Sequence, residues 1–126
     1  LKNLDRDLVI WPEVALPGFY HQFKPSILDP LQRKLQASKT DLLLGILFQE
    51  GSQNHNSLLK LGEDTEVYHK RHLVAFGEYI PLRHWLSWLS QWVVLPASNM
   101  DPGLEPTLLH VAGEAIAGSI CYEDAY

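Results

Sequence analysis

Three residues of this chain have side chains suited to nucleophilic chemistry, and each stands just past an apolar run. They are Glu13 in Ile10-Trp11-Pro12-Glu13, Lys70 in Tyr68-His69-Lys70-Arg71-His72, and Cys121 in Ser119-Ile120-Cys121-Tyr122-Glu123. Cys121 is the sole cysteine, so no disulfide forms within the chain. A small buried hydrophobe, a metal ligand and a nucleophile are its open uses. A thiol with a pKa of about 8.5 is only about 3% thiolate at pH 7, so a nucleophilic cysteine needs a base or an electropositive neighbour. Glu13, at a strand end beside Trp11 and Pro12, is expected to be partly desolvated and so suited to taking a proton near neutrality. Lys70 offers an ammonium to the oxyanion formed when sulfur attacks a carbonyl. Each also has an ordinary reading, as a solvated loop glutamate, a surface lysine and an inert buried cysteine. Glu78 in Phe76-Gly77-Glu78-Tyr79-Ile80-Pro81, judged alone, reads as an exposed carboxylate. His69-x-x-His72 has the form of a metal pair, but no clustered carboxylate or thiol completes a tetrahedral site, so no metal is expected.

The elements that must position these groups follow from hydrophobic patterning. Leu8 to Trp11 reads as a short buried strand ended by Pro12. Ser26 to Ser38 reads as a helix, with Ser26 as N-cap and Pro30 in its first turn. Asp41 to Gln49 is a continuous apolar run, as in a central strand covered on both faces. Asn54 to Lys60 and Glu66 to His69 flank a turn-rich stretch and read as a hairpin. Arg83 to Val94 places Trp85, Trp88, Leu89 and Trp92 on one helical face. A loop with Pro96, Pro102 and Pro106 follows, and then two strands, Thr107 to Val111 and Glu114 to Ile120, turn at Ala112-Gly113. Short apolar strands with intervening helical pattern point to an α/β or α+β layered domain.

The 126 residues fit about one small domain, and a formal net charge of −5 with a pI near 5.6 excludes a nucleic-acid binder, because no basic stripe exists to neutralise phosphates. No stretch reaches the roughly 20 apolar residues that span a bilayer, and Leu1 to Asp5 lacks the regions of a signal peptide. The chain opens directly into a strand pattern and stops five residues past the cysteine, so a piece of a larger protein is expected.

The joint order glutamate, lysine, cysteine resembles the carbon-nitrogen hydrolase (nitrilase) superfamily. Trp11-Pro12-Glu13 is similar to its base motif, Tyr68 to Leu73 to its lysine motif, and Ile120-Cys121-Tyr122-Glu123 to its nucleophile motif. Lys70 to Pro81 and Ile120 to Asp124 are most similar to the apolipoprotein N-acyltransferase family of bacterial envelopes. Ala75 departs from that pattern, standing where a proline is common. The resemblance implies an α/β fold, part of a nitrilase-like α-β-β-α sandwich, with residues 1–126 as one carbon-nitrogen hydrolase domain truncated at both ends. It implies Glu13 as general base, Lys70 as transition-state stabiliser, Cys121 as nucleophile, Glu78 as auxiliary carboxylate, and Tyr122 and Glu123 as residues shaping the nucleophile loop.

The implied reaction moves a phospholipid acyl chain, through a thioester on Cys121, to the N-terminal amine of a diacylglyceryl-cysteine lipoprotein. Neither a cofactor nor a metal is implied. Trp85, Trp88, Leu89 and Trp92 either pack on the protein's own core or contact the membrane, and their place after the lysine motif leads to the second expectation. The resemblance also implies a bacterial inner-membrane protein with its catalytic domain on the periplasmic side. The triad alone equally fits a soluble amidase or nitrilase, and an inert nitrilase-like interaction module is disfavoured by the intact triad. A helix is expected to follow Cys121 and to favour its thiolate, so the segment by itself is expected to be inactive.

Overall fold

The structure is a computed structural model that describes residues 7–13, 15–74, 78 and 100–125. Four strands, β1 (Leu8–Ile10), β2 (Asp41–Glu50), β3 (Gln53–Leu61) and β4 (Thr65–His69), form one sheet in the order β1-β2-β3-β4. β1 runs parallel to β2, and the β2-β3 and β3-β4 pairs are antiparallel. A separate hairpin of β5 (Leu108–Val111) and β6 (Glu114–Ala117) turns through Ala112 and Gly113, both with positive φ, as the tight turns that match strand twist require.

The unbroken apolar run of β2 is explained by what covers it. Leu42, Leu44 and Ile46 pack with Leu28, Leu31 and Leu35 of the helical segment and with Leu59 and Leu61 of β3. Leu43, on the opposite face, packs with Tyr68, Leu109, Val111 and Ile120. Alternate residues of each strand therefore address a helix on one side and the β5-β6 hairpin on the other.

Three expectations are corrected. The helix begins earlier than Ser26: α1 (Tyr20–Phe23) leads through a wide π turn over Lys24–Leu28 into α2 (Asp29–Ser38), and Ser26 caps nothing. The wide turn, in which the Asp29 N–H reaches the Lys24 carbonyl, accommodates Pro25 and Pro30, two residues that have no N–H to give. The Phe19 N–H is instead satisfied by the Gln22 side chain at 2.9 Å. Strand β1 is less buried than expected, with Ile10 68% exposed, because β2 is its sole strand neighbour among the described residues. The last strand stops at Ala117 rather than Ile120. There Gly118 lies flat on the Tyr68 ring, where a Cβ would approach it to 2.7 Å.

The helix expected over Arg83 to Val94, with Trp85, Trp88, Leu89 and Trp92, lies outside the described residues. Among the described residues no helix is long and apolar enough to cross a membrane.

Candidate active site

The face of the sheet turned away from α2 gathers the chemistry. On β3 the alternation puts His55, Ser57 and Leu59 towards the helix side and leaves Asn54, Asn56 and Leu58 for the other face. On β4 the same rule sends Tyr68, and Lys70 just beyond the strand, to that second face.

Glu13 is held there by Gly45. The Trp11 N–H donates to the Leu43 carbonyl at 2.8 Å, and the Gly45 N–H to that of Pro12 at 3.4 Å, which lays the Glu13 backbone directly over Gly45. A Cβ on residue 45 would stand 1.6 Å from the Glu13 carbonyl oxygen. Gly45→Ala is therefore expected to lift the Glu13 loop and to cost about 2 kcal/mol, the usual scale of overpacking, read as a lowered denaturation midpoint. An unchanged midpoint would mean that the loop does not rest where described. The Glu13 side chain is exposed, so the desolvation expected from Trp11 and Pro12 is absent; those two residues flank the backbone without covering the carboxylate.

Lys70 is the opposite case. It is 1% exposed, and its ammonium donates to Glu78 Oε1 at 2.9 Å. Its backbone is fixed on both sides, the N–H to the Asn56 carbonyl and the carbonyl to the Gly103 N–H, each at 2.8 Å. A buried ammonium requires such a counter-charge, which rules out the surface-lysine reading. Glu78 is likewise largely buried rather than exposed. Burial pushes its carboxyl up, but the Val74 N–H, Lys70 and Asn56 outweigh that and leave it below the usual carboxylate range.

Cys121 is exposed and takes a left-handed φ of 59°, a conformation that costs a non-glycine residue on the order of 1 kcal/mol or more. It opens a short 3-10 helix over Cys121–Ala125 and lines a cavity of about 160 Å³ with Trp11, Glu13, Gly45, Leu58, Ser119 and Ile120. The structure thus brings Glu13 and Cys121 to one cavity, while Asn56 links Glu13 to the Lys70–Glu78 pair.

Glu123 ties the lysine and cysteine segments together. Its buried carboxylate accepts the Arg71 N–H at 2.6 Å, the His72 N–H at 3.0 Å, the Ile120 N–H at 2.9 Å and the Tyr68 hydroxyl at 3.0 Å. Burial raises its pKa, and the three backbone donors and Tyr68 more than reverse that, leaving it depressed. The Tyr68 hydroxyl is pushed up to about 12, by burial and then by Glu123. Tyr122, by contrast, is 68% exposed. His69 points to the helix side, bonded to Ser57 at 2.7 Å with its ring tilted against that of His55, and is held below its ordinary pKa by burial and then by His55.

Asn56, Gly45 and Tyr68 escaped the reading of the sequence as site residues. The signal for Asn56 was an amide inside a strand, on the same alternating face as Leu58. A larger cleft of about 820 Å³ lies at the far end of α2, bordered by Asp41, Lys60 and Asp64. Its buried lysine, Lys60, 4% exposed, is neutralised by Asp41, Asp64 and Glu66, so this cleft is an ion-paired edge of the fold, with no cysteine, serine or threonine among the described residues that line it.

The profile of the carbon-nitrogen hydrolase family matches residues 2–126. The chain belongs to the carbon-nitrogen hydrolase family. Within it, an apolipoprotein N-acyltransferase of Methylococcus capsulatus is 40% identical over 128 residues, covering 99% of this chain and 25% of the relative. One from Nitrosomonas europaea is 36% identical, over 94% of this chain and 25% of the relative. The chain thus spans about a quarter of the length of these curated relatives. A carbon-nitrogen hydrolase superfamily protein from Xanthomonas campestris, solved with an arsenic adduct in its active site, superposes with a TM-score of 0.58 at 20% identity over 95% of this chain and 42% of that one. That likeness establishes the α/β fold of the family.

Proposed function

We propose that this segment supplies the base, lysine and thiol of a membrane-bound N-acyltransferase that modifies lipoproteins. Glu13 takes the Cys121 proton as sulfur attacks the ester carbonyl of a phospholipid, and Lys70 holds the oxyanion, with Glu78 as its counter-charge. Collapse expels the glycerol oxygen, which takes the proton back from Glu13, and leaves a thioester on Cys121. The α-amine of a diacylglyceryl-cysteine then attacks the thioester. Its proton passes through Glu13 to the departing thiolate, and an amide remains. Tyr122 and Glu123 shape the thiol loop. Trp85, Trp88, Leu89 and Trp92 contact the lipid, in a protein of the bacterial inner membrane whose catalytic domain faces the periplasm.

The observation that carries this reading is the sharing of one cavity by an exposed carboxylate, Glu13, and a thiol on a strained backbone, beside a buried lysine–carboxylate pair. The names of the two relatives above support an acyl transfer to a lipoprotein amine. The test is mass spectrometry of the intact protein in membranes given a labelled phospholipid. Label is expected as a thioester at Cys121, lost in Cys121→Ser and discharged by a diacylglyceryl-cysteine peptide as the amide. Hydrolysis of small amides, with no label passing to the peptide, would replace this reading with an amidase. The segment alone, given the same phospholipid, is expected to take up no label.

A further inference from the structure

Asn56 has no part in the steps above, yet their components meet at it. Its carbonyl accepts the Lys70 N–H at 2.8 Å, and its Nδ2 lies 3.3 Å from Glu13 Oε1 and 3.2 Å from Glu78 Oε1. A primary amide nitrogen has two hydrogens to donate, so one bond to each carboxylate uses both. Two carboxylate oxygens as neighbours also fix the amide's orientation, since the amide oxygen would be repelled there. The strand makes this placement firm. Asn56 is paired with Leu47 in the β2-β3 ladder, between Asn54, whose N–H is bonded to Asp101, and Leu58, which lines the Cys121 cavity.

Glu13 sits on a loop, exposed, whereas Lys70 and Glu78 are buried and mutually bonded. Asn56 is the described link between the two. A leucine of similar size would leave both carboxylates without that donor, and an aspartate would set a third negative charge against two others.

We propose that Asn56 is a positioning residue that fixes the Glu13 carboxylate relative to the Lys70–Glu78 pair, and so holds it in the cavity shared with Cys121. The inference rests on the reading of Glu13 as the base for Cys121. The test is the pre-steady-state rate of thioester formation with a labelled phospholipid, measured against pH on the intact protein in membranes. Glu13→Gln is expected to slow the step by about 100-fold or more. Asn56→Ala is expected to slow it by about 10-fold with little change in the phospholipid KM. Asn56→Asp, which keeps the shape, is expected to move the acidic limb of the rate upward by about one pH unit, because three carboxylates at one point share a proton more readily. A purely structural role would lower the yield of folded protein and leave that limb in place. Wild-type rate and limb in both Asn56 variants, with Glu13→Gln slow, overturn the inference alone. A wild-type rate in Glu13→Gln overturns the base assignment and the inference with it.

Discussion

Glu123→Gln is expected to destabilise the intact protein by about 3 kcal/mol near neutral pH. One carboxylate oxygen takes the Arg71 and His72 N–H groups and the other takes that of Ile120, with Tyr68 between them. A glutamine keeps one acceptor and turns the other into a donor. Tyr68 adapts by rotating its hydroxyl, but a backbone N–H has no such freedom. One buried N–H is left without a partner, and the remaining bonds lose their charge assistance, each loss being worth about 1–3 kcal/mol. Acid discriminates further. Because the carboxyl is depressed in the folded state, its contribution is present above the ordinary carboxylate range and is lost as pH falls through the folded value. The gap between the wild-type and Gln denaturation midpoints is thus expected to close below about pH 4. A gap that stays constant down to acid unfolding would mean that the carboxylate charge is irrelevant to this junction.

Lys70→Met is expected to slow thioester formation by about 100- to 1000-fold, the scale seen when one oxyanion donor is removed, with a nearly unchanged KM for phospholipid. It also strands Glu78 in a largely buried setting, which on its own costs roughly 3 kcal/mol. The two effects separate in the double variant Lys70→Met/Glu78→Gln. With both charges gone, most of the stability is expected to return and the rate is not. Recovery of the rate together with the stability would show that Lys70 is only a structural ion pair. Lys70→Arg is not a conservative control, since the planar fork does not fit the enclosed space of an ammonium with one carboxylate partner.

The motifs made the three candidate side chains legible, and the continuous apolar run of β2 with the turn signals between β3 and β4 made most of the sheet legible. What stayed hidden was how those side chains are held. The period of two marks which face a residue takes, but not which loop lies over it, so Gly45 read as one more small residue in an apolar run. Exposure at Glu13 and burial at Glu78 came out the reverse of their local settings, because coverage depends on residues distant in sequence: Lys70, Val74 and Asn56 enclose Glu78, while Trp11 and Pro12 leave Glu13 open. The helix start was misplaced because Ser26 and Pro30 carry local cap signals, and the π turn that overrides them gives no pattern in side-chain type.

Gly45 has one more consequence. In a run such as Leu42-Leu43-Leu44-Gly45-Ile46-Leu47, sliding the strand by one residue exchanges the two faces, yet each face of this run still presents mostly aliphatic side chains, so the strand's own hydrophobicity scarcely opposes the slip. The position that does not tolerate exchange is the one beneath Glu13, where any side chain collides with the loop. A single missing Cβ thereby acts as an index mark, setting the register of a strand whose composition leaves it undefined.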